Sequence, residues 1–246
     1  MLVKPFLVLG TRAEDEAADN EYAAVLSYAG LGEAQLHRRR LEAEPLGAVD
    51  PADWSGIILG GGPFNVSDPA QAKSPVQQRV EAELRELAEK VVAGDSPFFG
   101  ACYGIGTLGV LRGGVVDRRY GEPVGCVSIA LTDAGRADPV FGVLPDTFDA
   151  FLGHKEAVAR LPEGAVLLAS SAACPVQAFR LGEHVYATQF HPELDRDGLC
   201  TRVDVYQHYG YFDPSEVARL KAMAHASSVT EPEKLLAAFV DRYARR

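Results

Sequence analysis

Pro97-Phe98-Phe99-Gly100-Ala101-Cys102-Tyr103-Gly104-Ile105 is the stretch on which the fold turns. Residues 97–101 carry no charge and predict a short strand buried on both faces. Residues 105–111 predict a helix, so the chain turns sharply from strand to helix at Cys102. Backbone on such a turn is strained, and the neighbours two before and two after the turning residue must be small. Both are glycine here, Gly100 and Gly104. The Cys102 thiol is then expected at the carboxyl end of a parallel sheet, where open α/β folds place their sites. The helix N-terminus beneath it favours the thiolate, and the N–H of Tyr103 is positioned to hold an oxyanion.

Upstream of this elbow, strand-like and helix-like segments alternate. Strands are predicted at 6–9, 34–41 and 56–59, with helices at 19–28, capped by Asp19, and at 76–92, stopped by Gly94 and Asp95. This βαβ rhythm predicts a doubly wound, mostly parallel sheet. Downstream the texture changes. Strands at 124–131, 147–152, 166–169, 176–180 and 185–189 are joined by turns, which predicts a small antiparallel extension. Two helices follow, 214–226 starting at Ser215 and 231–243 starting at Thr230, where Glu233 completes a capping-box pattern. The expectation is one domain over 1–246, with a helical C-terminal extension from about residue 206.

Composition narrows the function classes. Acidic residues outnumber basic ones 34 to 24, a formal net charge of -10, which disfavours a nucleic-acid partner. Arg38-Arg39-Arg40 reads as a solvated patch. The cysteines at 102, 126, 174 and 200 form no CxxC pair and no zinc spacing, so no metal is expected and a reducing cytoplasm is. No apolar stretch is long enough to cross a membrane, and the apolar start at 5–9 reads as a first strand rather than a signal peptide. No glycine-rich phosphate loop with a lysine appears, so neither ATP use nor any other cofactor is expected.

A cysteine nucleophile needs a histidine to carry its proton and a carboxylate to orient that histidine. His191 stands in Thr188-Gln189-Phe190-His191-Pro192-Glu193, with Glu193 two residues on across a proline. His154, in Gly153-His154-Lys155-Glu156, also follows a strand-like run, and the residues alone leave both histidines open as the base. Gly60-Gly61-Gly62-Pro63 closes the strand at 56–59 and lets backbone approach a ligand, with the N–H of Gly62 as a second oxyanion donor.

The segments ILGGGP, GACYG and QFHPE, in this order and spacing, resemble the class I glutamine amidotransferase domain, over about residues 50–200. The likeness is nearest to the amidotransferase half of GMP synthases and their stand-alone relatives. The resemblance implies a flavodoxin-like sheet and a Cys-His-Glu triad, which falls on Cys102, His191 and Glu193. It implies attack by Cys102 on the γ-carboxamide of glutamine, a γ-glutamyl thioester, and release of ammonia and then glutamate. It moves His154 into the substrate pocket, with Gly61, Gly153, Lys155 and Gln189. Two departures bear on the substrate. Gly106 stands where the family usually has a glutamine, which leaves space for a γ-glutamyl compound larger than glutamine. Lys155 follows His154 and supplies a charge for a substrate carboxylate. Three readings follow: an amidotransferase-like enzyme with a synthetase partner subunit or a second copy of the chain, a γ-glutamyl amide or peptide hydrolase, and a non-catalytic binding protein on the same fold. Tyr206, Tyr209, Tyr211 and Phe212 lie beyond the resemblance and read as core packing, with an interface as the second reading.

Overall fold

The computed structural model describes residues 4–244. Five strands are parallel: β1 (Phe6–Gly10), β2 (Leu36–Arg40), β3 (Gly56–Leu59), β4 (Phe98–Ala101) and β11 (Val185–Thr188). Four more continue the sheet antiparallel: β6 (Glu122–Leu131), β7 (Thr147–His154), β9 (Val166–Ser171) and β10 (Ala178–Leu181). The nine-stranded order is β2-β1-β3-β4-β11-β10-β9-β6-β7. Its parallel half has the strand order of flavodoxin-like folds, and the antiparallel half is the extension predicted from the turn-linked strands. A separate two-stranded sheet pairs β5 (Val115–Asp117) with β8 (Ala157–Arg160).

Helices cover both faces. On one, α1 (Asp15–Tyr28) and α7 (Lys234–Tyr243) bury Val25, Leu235, Leu236 and Phe239 against Phe6, Val8, Ile58 and Phe99. On the other, α2 (Pro75–Gly94) and α3 (Tyr103–Gly109) pack on Leu7, Leu9, Ile57, Leu59 and Phe98. Strands with both faces buried carry continuous apolar runs, as Ile57-Ile58-Leu59 does. In α2 the residues Val80, Leu84, Leu87, Ala88 and Val91 form one buried stripe at helical spacing. Ser74 caps its start by accepting from the N–H of Gln77, and Pro75 opens the first turn. Asp95 ends it in left-handed geometry, φ 46°, and its carboxylate accepts from the N–H groups of Glu183 and His184.

Several boundaries differ from the sequence expectation. Helix α1 begins at Asp15, so Asp19 is no cap; it lies inside the helix and pairs with Arg38 at 2.6 Å. Arg40 pairs with Asp15 and Glu42, so the arginine run is tied into ion pairs as well as solvated. Helix α3 starts at Tyr103, directly on the elbow. Helix α6 (Val217–Ala226) follows a 3-10 turn capped by Asp213, not Ser215, with Glu216 completing the box. Helix α7 starts at Lys234 without a side-chain cap, so the Thr230–Glu233 box does not form. Two helices were not anticipated: the short α4 (Asp133–Ala137) and α5 (Arg196–Tyr206). The second places an arginine in the candidate site. Among the described residues no helix is long and apolar enough to cross a membrane.

Candidate active site

The carboxyl ends of β1, β3, β4 and β11 meet at one place and deliver Arg12, Gly61, Cys102 and His191 to it. Cys102 has φ 51° and ψ -91°, one of three non-glycine residues with positive φ among those described. A branched or bulky side chain does not tolerate this conformation, and such strain concentrates at functional sites. The Cys102 N–H donates to the carbonyl of Thr188 at 2.8 Å, which fastens the elbow to β11. A Cβ on Gly100 would meet the backbone of Gly104 at 2.9 Å, and one on Gly104 would crowd the Leu59 carbonyl at 3.1 Å, so the elbow packs closely at both glycines. The first turn of α3 leaves the Tyr103 N–H without an intrahelical acceptor, next to the thiol.

His191 Nδ1 lies 2.8 Å from Glu193 Oε1, and both side chains are buried. Burial opposes a charge on the imidazole, but the Glu193 carboxylate and the Cys102 sulfur beside it outweigh burial and raise His191 to about 9. Burial likewise opposes the Glu193 charge; His191 and Arg202 overcome it and hold the carboxyl well below the usual carboxylate range. Both shifts favour the charged forms, the Glu193 carboxylate and the His191 imidazolium, at neutral pH.

The sequence reading missed the charges beneath this trio. Arg202, on α5, donates from Nη2 to Glu193 Oε1 at 2.8 Å, and its Nη1 lies 3.0 Å from His191 Nδ1. Arg12 donates from Nε to Glu21 at 3.0 Å and from Nη1 to the Tyr206 hydroxyl at 3.2 Å. Glu21 also lies 3.5 Å from Arg202. Two guanidinium groups and two carboxylates thus form a closed, charge-balanced set, the condition under which buried ions are tolerated. A signal for α5 was present: Asp195 before a run whose Leu199, Val203 and Tyr206 keep helical spacing. Arg202 and Asp204 break up that apolar stripe and obscure it.

The two loop glycines have separate reasons to be glycine. A Cβ on Gly61 would overlap the His191 ring and come within 3.0 Å of Arg12 Nη2 and 3.3 Å of Cys102 Cβ. A Cβ on Gly62 would overlap the Thr11 hydroxyl. The loop can lie this close to the thiol only as bare backbone.

Two cavities open on Cys102, and Gly62, Gly153 and Tyr211 border both. The first contains the expected pocket residues His154, Lys155 and Gln189, together with Phe64, Asn65 and Glu156. Gln189 Oε1 is buried there without a partner. His154 is not free to act as the base, because Nε2 lies 3.0 Å from Glu122 and Nδ1 lies 2.8 Å from the Glu156 carbonyl. Cys174 lies near that pair, but burial pushes its thiol up to about 11, and Gln177 also donates to Glu122 at 2.7 Å. These partners make the cluster a hydrogen-bonded knot rather than an open set of metal ligands. Lys155 points back to the Tyr209 carbonyl at 3.4 Å and lies 4.3 Å from the centre of the Tyr211 ring. The space above Gly106 is not vacant. A Cβ there would meet Glu156 Oε1 at 3.2 Å and Val66 at 3.4 Å, and Glu156 is fixed by accepting from the N–H groups of Val66 and Ser67 at 2.8 Å each. A substrate larger than glutamine does not gain room at Gly106. The aromatic cluster meets the core-packing expectation in part: Tyr206 is buried and Phe212 packs against an apolar cluster, while both also wall the second cavity with Tyr211, and Tyr209 is exposed.

The sequence model of glutamine amidotransferase class-I matches residues 26–197. The chain belongs to the class I glutamine amidotransferase family. It is 33% identical over 171 residues to a GMP synthase [glutamine-hydrolyzing] of Ectopseudomonas mendocina, an alignment covering 65% of this chain and 29% of that one. It is 31% identical over 187 residues to the enzyme of the same name from Acetivibrio thermocellus, covering 72% and 34%. The amidotransferase domain of this chain thus spans about a third or less of those curated relatives. Two solved structures share its fold over nearly their whole length. A glutamine amidotransferase of Thermotoga maritima has TM-score 0.72 at 17% identity, covering 99% of each chain. One from Methylobacillus Flagellatus has TM-score 0.72 at 20% identity, covering 100% of this chain and 97% of that one.

Proposed function

We propose that the chain is a glutaminase-type amide hydrolase acting on a γ-glutamyl amide through a thioester on Cys102. The observation that carries this is the meeting of three features at one point. They are a cysteine at φ 51° on a strand-to-helix elbow, a buried His191–Glu193 pair at 2.8 Å, and the glycine loop at Gly61 and Gly62 closing over both. In this reading Cys102 attacks the γ-carbonyl carbon as the thiolate, its proton already held by His191. The N–H groups of Tyr103 and Gly62 receive the oxyanion. His191 then returns the proton to the departing nitrogen, the C–N bond breaks, and a γ-glutamyl thioester remains. Water attacks that thioester with His191 as base, the C–S bond breaks, and glutamate leaves. Glu193 holds the imidazole in orientation throughout.

The first cavity suits the γ-glutamyl group. Its free end carries one carboxylate and one ammonium, and Lys155 and Glu156 offer one charge of each sign on the same wall. Glu156 is pushed up by burial, so a substrate ammonium beside it supplies a missing counter-charge. The whole chain is taken to work as one domain in a reducing cytoplasm that keeps the thiol free. A synthetase subunit as acceptor of ammonia is the alternative use of the same site. The test is glutamate release from glutamine and from γ-glutamyl amides by wild type and Cys102→Ala. Release that survives the substitution removes the proposal.

A further inference from the structure

We infer that the second cavity, on the His191 side of Cys102, receives the leaving amine of the γ-glutamyl amide, and that this amine carries an apolar alkyl or aryl body. The inference rests on the hydrolase reading and adds the substrate class.

Cys102 stands between two cavities of different size and chemistry. The acyl cavity is the smaller and carries charged side chains. The second is the larger and is walled by Val124, Leu152, Leu194, Leu199, Val203 and Phe212. His191 borders the second cavity and not the first. The departing nitrogen must take its proton from His191, so the leaving group lies on the His191 side of the scissile carbon. The acyl group then falls to the cavity with Lys155 and Glu156. Room for extra substrate is closed above Gly106, so any substituent beyond glutamine itself extends on the amine side.

Ammonia has no surface to set against six apolar side chains, whereas an alkyl or aryl body does. The charges at the floor do not call for an ionic leaving group, because Arg12 and Arg202 are matched by Glu21 and Glu193. Arg202 Nε is the exception, a buried donor without a partner. It leaves room for one acceptor on the body. The same chemistry fits two sources, a simple apolar amine or an apolar α-amino acid released from a γ-glutamyl dipeptide.

The test compares kcat/KM for glutamine, γ-glutamyl-n-butylamide, γ-glutamylbenzylamide and γ-glutamylphenylalanine, using the full chain. The expected result is that benzylamide exceeds glutamine by about tenfold or more. Phenylalanine exceeding benzylamide assigns the amino acid, and the reverse order assigns the simple amine. Val124→Phe narrows the cavity from one wall and Phe212→Ala widens it from another; each is expected to lower the benzylamide-to-glutamine ratio. In parallel, fluorine NMR of 4-fluorobenzylamine with wild type and Val124→Phe reads occupancy without turnover. Glutamine turned over as well as every substituted amide, or 4-fluorobenzylamine binding that Val124→Phe does not weaken, overturns the inference and leaves the hydrolase reading standing. No Cys102-dependent turnover of any amide removes that reading and the inference with it.

Discussion

Arg202 and His191 share one oxygen: Arg202 Nη2 and His191 Nδ1 each lie 2.8 Å from Glu193 Oε1. The Glu193 carboxylate is therefore fixed from two sides, and the guanidinium also lowers the proton affinity of the imidazole it touches. In the proposed mechanism Arg202 acts through His191 and Glu193, as a positioning residue. Arg202→Met is expected to lower kcat and to move its alkaline limb to higher pH, because a positive charge beside His191 is gone. It also strands Glu193 and Glu21 with one cation fewer, at a cost of about 3–5 kcal/mol in unfolding free energy. A pH profile with its limb unmoved would show that Arg202 only packs.

Glu193→Gln keeps the shape of the loop but no longer favours the imidazolium. The expected loss in kcat is about 10²–10⁴-fold, with KM little changed, measured as steady-state glutamate release. A variant within a few fold of wild type would remove Glu193 from the mechanism.

Stability carries the signature of His191. Its folded value, about 9, lies above its ordinary 6.5. The stabilisation is therefore fully present below about pH 6.5 and is lost as pH rises through about 9. Urea unfolding of wild type should weaken over that window by up to about 3 kcal/mol more than that of His191→Gln. Parallel curves for the two proteins would contradict the assignment.

Gly61→Ala places a methyl group against the His191 ring, Arg12 and Cys102. The expected outcome is a loss of kcat larger than the loss of thermal stability, since the loop can retreat only by leaving the thiol. Activity retained at the wild-type level would mean that the loop is not fixed over Cys102.

Lys155→Ala is expected to raise KM for glutamine with little change in kcat, because the acyl cavity loses its cation. An unchanged KM would assign Lys155 to the Tyr209–Tyr211 loop alone.

The sequence made the elbow legible because glycines at 100 and 104 and an apolar strand before Cys102 leave few other folds for that segment. His191 and Glu193 were legible as a pair because a proline separates them by a fixed two residues. Helix α5 was not, because its buried face mixes Leu199 and Val203 with Arg202, a charged residue whose partners His191, Glu193 and Glu21 all lie outside the helix. Arg12 and Glu21 are only nine residues apart, but one lies in the loop after β1 and the other on α1, and no local pattern marks that the loop turns Arg12 back onto the helix. The filling of the Gly106 space by Glu156 is a contact across 50 residues of chain, beyond any reading by local pattern.

Rapid quenching during turnover of glutamine or a γ-glutamyl amide, followed by mass spectrometry of the digested chain, tests the central claim most directly. The account predicts a γ-glutamyl adduct on the peptide containing Cys102, absent in Cys102→Ala and longer-lived in Glu193→Gln. Glutamate formed with no adduct, or an adduct on Cys126, Cys174 or Cys200 instead, would contradict it.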